Sequence, residues 1–251
     1  MLTSTQIAQF ERDGFLILRE RVAQSLCAQL RAVVHEQLDT AAPPLEYEAD
    51  LGYTGAPVSR DAIGGGTVRR LRGAYYRDGL LQQWAADADL IATLSQLLTP
   101  PVVLNLAHHN CVMTKHPDFG TATGWHRDIR YWKFSDDNLI TVWLALGTEN
   151  ADNGGLQVIP ASHRWQIAPE QKDALDFLRS DLPQNQSLIA QGVALSLTAG
   201  DVLFFHSSLY HAAGKNLSGV RKLSVAFVYH GTDTTPLPAS PSAAAGEIIF
   251  D

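Results

Sequence analysis

The chain changes character at Pro100-Pro101, and that break limits the architectures open to it. Before it, apolar residues recur at helical spacing. Thr3-x-x-Gln6 is a capping-box pattern that opens a first helix, and Asp13-Gly14 closes it ahead of a short strand, Phe15 to Leu18. Ala23 to Leu38 carries Leu26, Leu30, Val33, Val34 and Leu38 on one face, and a third helical stretch runs from Leu80 to Leu98. After the prolines the segments read as strands: Val102–Lys115, Gly124–Trp132, Leu139–Leu146, Gly155–Ile159, Val193–Leu197, Val202–Phe205 and Lys222–Tyr229. Asp152-Asn153-Gly154-Gly155, Ala199-Gly200-Asp201 and Leu217-Ser218-Gly219 supply turns between them, and a helix is expected near Pro169 to Arg179. Helices first and many short strands afterwards predict a mainly β fold with α, a double-stranded β-helix of jelly-roll or cupin type with N-terminal supporting helices.

The 251 residues suffice for one such domain. Residues 1–100 form its helical support, 101–232 the jelly-roll core, and 233–251, rich in Ala, Pro and Ser, a poorly ordered tail. Residues 41–68 are weakly patterned and hold Gly52, Gly55, Gly64, Gly65 and Gly66, which suits a mobile lid with Tyr47 or Tyr53 touching substrate. The formal net charge of −7 speaks against a nucleic-acid surface. Two distant cysteines imply no disulfide framework, the first residues lack a secretory pattern, and no apolar run is long enough to span a bilayer. A soluble cytoplasmic protein is the expectation.

His126 and Asp128 stand at H-x-D spacing in Gly124-Trp125-His126-Arg127-Asp128. Residues i and i+2 leave a β-strand on the same side, so both can reach one ion. His211 follows more than eighty residues later in Tyr210-His211-Ala212-Ala213-Gly214 and must return to them through the fold. Two imidazoles and a carboxylate suit one face of a non-haem iron(II) centre. His206 is the rival for the second imidazole. Arg221, ten residues after His211, offers a fixed cation for an acidic cosubstrate. Lys222 competes with it, because one residue of slip turns a strand side chain to the other face. Arg130 can share the face of Asp128 and meet an anionic substrate group, whereas Arg127 should point away. Arg69, Arg70 and Arg72 read as a solvated face.

Several longer stretches resemble the phytanoyl-CoA dioxygenase family of iron(II)- and 2-oxoglutarate-dependent oxygenases. They are Phe10-Glu11-Arg12-Asp13-Gly14-Phe15, Trp125-His126-Arg127-Asp128, Asn153-Gly154-Gly155-Leu156-Gln157-Val158-Ile159-Pro160-Ala161-Ser162-His163-Arg164, and His211-Ala212-Ala213-Gly214-Lys215-Asn216. The resemblance implies His126, Asp128 and His211 as iron ligands and Arg221 as partner of the distal carboxylate of 2-oxoglutarate. It sets Trp143 against the cosubstrate and makes Arg70 a basic cosubstrate contact. By likeness to ectoine hydroxylases it makes Lys115 a cosubstrate contact, and Trp132 and His109 substrate contacts. Ala212-Ala213 stand where the family usually has Gly-Ser, so a hydroxyl is missing there. The implied activity uses Fe(II), 2-oxoglutarate and O2 to hydroxylate a C–H bond of a small soluble metabolite, releasing succinate and CO2. Arg130, Tyr131 and Trp132 suggest an anionic or zwitterionic substrate. Desaturation, epimerisation or ring formation by the same cofactors is the alternative outcome, and a non-catalytic metal-binding cupin-type domain is the alternative class.

Overall fold

A computed structural model describes residues 1–250. In chain order the elements are α1 (Ser4–Asp13), β1 (Phe15–Leu18), α2 (Gln24–Asp39), β2 (Leu45–Tyr47), β3 (Val68–Arg72), α3 (Ala74–Arg77), α4 (Gly79–Ala85), α5 (Ala88–Leu94), β4 (Val102–Lys115), β5 (Thr123–His126), β6 (Leu139–Ala145), β7 (Leu156–Val158), α6 (Pro183–Ile189), β8 (Val193–Ala194), β9 (Val202–His206), β10 (His211–Ala213), β11 (Lys222–His230), α7 (Pro241–Ala245) and β12 (Glu247–Phe250). The Thr3 capping box forms as its spacing requires, and Gly14 ends α1 in the left-handed region at φ 77°. The third helical stretch is broken into α4 and α5 because Asp78 and Asp87 each accept a backbone N–H and restart the helix.

Two antiparallel sheets face each other. The major sheet runs β1-β9-β6-β11-β4-β3-β2, with β12 also on β4, and the minor sheet runs β5-β10-β7-β8. Strand alternation sorts the core into two layers. Val142, Leu144, Val225 and Phe227 point outward and pack with Leu30 and Val34 of α2 and Leu81 and Trp84 of α4. Trp143, Ala145, Ala226 and Phe205 point inward and meet Leu156 and Val158 of the minor sheet. This is the jelly-roll arrangement with helical support on its outer face. No helix is long and apolar enough to cross a membrane among the described residues.

Two expectations need correction. Residues 233–250 are not a loose tail: α7 leads into β12, which pairs with Val102–Asn105 of β4, and His230 Nε2 lies 2.8 Å from Glu247 Oε1. The apolar periodicity there is too short to have signalled a strand. The helix expected at Pro169 to Arg179 is only a 3-10 turn over Pro169–Gln171, and the helix comes later, as α6. Within the weakly patterned residues 41–68, β2 pairs with β3 and Glu48 is fully buried.

Candidate metal centre and cosubstrate cavity

His126 ends β5 and His211 begins β10, and the two are direct partners across the antiparallel pair. Their rings are 4.2 Å apart between centroids. Arg127 stays extended, at φ −114° and ψ 139°, so Asp128 keeps the side of His126 before the chain turns into a 3-10 helix. The Asp128 Oδ1 atom lies 3.6 Å from His126 Nε2 and 3.4 Å from His211 Nε2. The Nδ1 atoms face the carbonyls of Gly124 at 2.8 Å and Leu209 at 3.0 Å. A carbonyl can only accept, so each Nδ1 carries the proton and each Nε2 lone pair is free.

These three residues are the one group among the described residues whose side chains could together hold a metal ion. Asp128 Oδ1 is buried without a hydrogen-bond partner between the two imidazoles, as an atom waiting for a cation would be. Thr141 donates to the other oxygen, Oδ2, at 3.3 Å. Burial pushes His126 down to about 4, with further lowering by His211, and so keeps it in the neutral, ligating form. Burial alone would raise Asp128, but the surrounding imidazoles of His109, His211 and His126 hold it well below the usual carboxylate range. The donor set therefore fits a 2-His-1-carboxylate iron(II) site. His206 does not join it. Its Nδ1 accepts from Ser208 N at 3.1 Å and its ring lies 5.3 Å from His163.

A cavity opens beside the three residues, between the sheets. Trp143, Lys115, Lys222, Arg69, Arg70 and His109 line it along with them. The face of β11 decides between the two C-terminal cations. Lys222, Ser224 and Ala226 alternate inward and Lys222 reaches the cavity, whereas Arg221, just ahead of β11, does not line it and instead lies in a second cleft with Arg31 and His35 of α2, which Lys222 also borders. The structure thus departs from the expectation for Arg221, and the inward cation is Lys222. Lys222 sits opposite Lys115 in the β11–β4 pairing. Burial, then Arg69 and Lys222, hold the Lys115 ammonium well below its ordinary value, and its one hydrogen bond is to the Thr121 carbonyl at 2.8 Å. Gly154 in the left-handed region, at φ 72°, leaves room for the Lys115 stem, since a side chain there would lie 3.2 Å from it.

Arg69 was weighed only as part of a solvated run, yet it is 3% exposed. The β2–β3 pairing shifts register between Glu46 and Tyr47, so that Glu46 faces Arg70 and Tyr47 faces Val68. The bulge at Arg69 lets two consecutive arginines reach one cavity. A second irregularity, over residues 106–109 of β4, puts His108 at φ 53° and aims His109 inward. His109 Nδ1 is 3.6 Å from Asp128 Oδ2 and lacks a hydrogen bond, and burial pushes it down to about 3, so it is neutral.

Trp132 and Arg130 do not line the cavity, because the 3-10 turn after Asp128 ends the strand alternation on which their placement depended. Trp132 packs behind His109 at 5.2 Å and donates to Ala107 O. Arg130 lies over Phe177 at 4.5 Å and Tyr131 at 5.0 Å, and its NH1 is buried without a partner. Phe177 and Tyr131 both approach His126 edge-on, at 5.3 and 6.3 Å. Tyr131 was among the aromatics marked near the triad in the sequence, whereas Phe177 carried no recognisable signal.

Comparison with known proteins gives one family. The model of phytanoyl-CoA dioxygenase matches residues 10–223. Ectoine dioxygenase of Bordetella bronchiseptica is 24% identical over 94% of this chain and 78% of its own. Peroxisomal phytanoyl-CoA dioxygenase of Homo sapiens is 26% identical over 88% of this chain and 67% of its own. Among solved structures, EctD from S. alaskensis with 2-oxoglutarate and 5-hydroxyectoine superposes with a TM-score of 0.75 at 20% identity, covering 92% of this chain and 77% of that one. The α-ketoglutarate-dependent epimerase SnoN from nogalamycin biosynthesis gives 0.73 at 20%, covering 93% and 82%. With the family model spanning most of the chain and an iron-type triad at the mouth of a cationic cavity, the chain belongs to the phytanoyl-CoA dioxygenase family of non-haem iron, 2-oxoglutarate-dependent dioxygenases.

Proposed function

We propose that this protein hydroxylates a C–H bond of a small soluble metabolite, with His126, Asp128 and His211 holding Fe(II). The observation that carries the reading is the buried triad with its orphaned Asp128 oxygen, opening on a cavity whose other polar walls are Lys115, Lys222, Arg69 and Arg70. Bound iron, with 2-oxoglutarate and O2, supplies the oxidation and releases succinate and CO2. The protein's own part is binding, orientation and exclusion of water. Lys222 and Lys115 hold the distal carboxylate, and the Trp143 ring forms the wall beside it. Neutral His109 offers its unpaired Nδ1 toward the reacting end. Arg130, with an unpaired buried nitrogen, favours a substrate bearing an anionic group, free or as part of a zwitterion.

A screen of metabolites for succinate release, with iron(II), 2-oxoglutarate and ascorbate, tests this directly. One compound should couple succinate to a product that has gained an oxygen atom. A product that has instead lost two hydrogens, or kept its mass with inverted configuration, moves the outcome to desaturation, ring formation or epimerisation. Iron binding with no succinate from any compound or from substrate-free turnover would leave a binding domain.

Residues 51–66 are proposed to act as a lid. The flanking segments are pinned by the β2–β3 pairing and the buried Glu48–Arg69 pair at 3.4 Å, so movement is confined between them. Tyr53, not Tyr47, faces the site. Its hydroxyl lies 3.0 Å from that of Tyr131 and its ring meets Phe177 edge-on at 5.0 Å, whereas Tyr47 lies under Arg60. Adding substrate to the iron- and 2-oxoglutarate-loaded protein should slow hydrogen exchange across 51–66. Protection restricted to residues 125–132 would remove the lid.

A further inference from the structure

One buried group directly behind the cavity wall is not called for by metal or cosubstrate binding: the Glu149 carboxylate, 1% exposed and in contact with the wall residues Trp143 and Lys222. Ser224 Oγ donates to it at 2.6 Å, Trp143 Nε1 at 3.1 and 3.2 Å, and Lys222 Nζ at 3.2 Å. Lys222 Nζ also donates to Ser224 Oγ at 3.2 Å. Two of the three ammonium N–H groups are therefore committed, and one is left for a ligand. Of the two cavity lysines, Lys222 is therefore already matched by an anion belonging to the protein.

That match changes what the cavity can refuse. A site built around a lone buried cation rejects an analogue without the matching anion, because the cation would be left unpaired. Here an alkyl tail can lie against Lys222 and leave the Lys222–Glu149 pair intact. A carboxylate in the same place must instead share the ammonium with Glu149 and bear its repulsion. We propose that Glu149 is a specificity-determining residue, a built-in counter-charge that lowers the preference for a 2-oxo diacid over a 2-oxo monoacid of equal chain length. The inference rests on the cosubstrate reading given above.

Calorimetric titration of the full-length, iron(II)-loaded protein under anaerobic conditions tests it, with 2-oxoglutarate and 2-oxopentanoate as the two ligands. The wild-type protein should bind them with dissociation constants within about tenfold of each other, a small gap for the loss of a charged group. Glu149→Gln keeps an acceptor for Trp143 and Ser224 but removes the charge. It should tighten 2-oxoglutarate and weaken 2-oxopentanoate, widening the preference to on the order of 100-fold or more. Should that variant fold poorly, the double variant Glu149→Gln, Lys222→Met replaces the whole pair with neutral groups and should return the preference to within a few-fold of wild type. A wild-type preference already of several hundred-fold, or a Glu149→Gln protein that loses both ligands equally, would overturn the proposal and make Glu149 a support for Trp143 and Lys222 only. Normal 2-oxoglutarate binding with an unchanged ratio removes this inference alone. No binding of either ligand by any of the proteins removes the cosubstrate reading together with it.

Discussion

Alanine at any one of His126, Asp128 or His211 is expected to strip the protein of iron(II). The anaerobic protein with 2-oxoglutarate should show a weak visible charge-transfer band, and each variant should lose it. The loss of affinity should exceed the roughly 10- to 100-fold that removal of an outer hydrogen-bond partner costs, because a ligand itself is gone. His206→Ala is the control, since His206 is tied to Ser208 and His163 away from the triad. Loss of the band in His206→Ala, with retention in His211→Ala, would reverse the assignment.

Lys222→Met should raise the 2-oxoglutarate dissociation constant by about 30- to several-thousand-fold, the equivalent of roughly 2–5 kcal/mol for truncating one partner of a buried charge pair. Part of that loss comes from Glu149, which then faces the cosubstrate with no cation beside it. The same exposure of an unpaired buried carboxylate should cost about 3–5 kcal/mol of folding stability, so binding must be measured well below the lowered melting point. Arg221→Ala should change the dissociation constant by less than about twofold, because Arg221, the residue before β11, does not line the cavity. Equal effects of the two substitutions would mean that β11 is in a different register in solution.

The contrast between these neighbours marks where sequence reasoning runs out. The double-sheet fold was legible because turn residues cut the chain after Pro101 into strand-length apolar pieces, and the His126–Asp128 pair because H-x-D works through local alternation alone, with His211 added by the motif around it. The capping box of α1 is equally local. What failed depended on phase carried over distance. A slip of one residue between His211 and β11 put Lys222, not Arg221, inside. The bulge at Arg69 turned an apparent surface arginine into a cavity wall. Trp132 and Arg130 lost their expected positions once the strand gave way to a 3-10 turn. Glu149 gave no signal, since an acidic residue in a polar loop ordinarily faces water. Only the folded arrangement brings Lys222, Ser224 and Trp143 around it.

The pairing of His126 with His211 on a single rung has a consequence for assembly of the fold. β5 and β10 share only one further rung, for their register shifts before Ala213 meets Thr123. A one-residue slide of β10 would carry the imidazole of His211 to the far side of the minor sheet. An ion coordinated by both histidines binds only the correctly aligned form, so occupancy and alignment are thermodynamically linked and each favours the other. The ion acts as a clasp that selects one strand alignment from its neighbours, and part of its affinity reappears as stability of the four-stranded sheet.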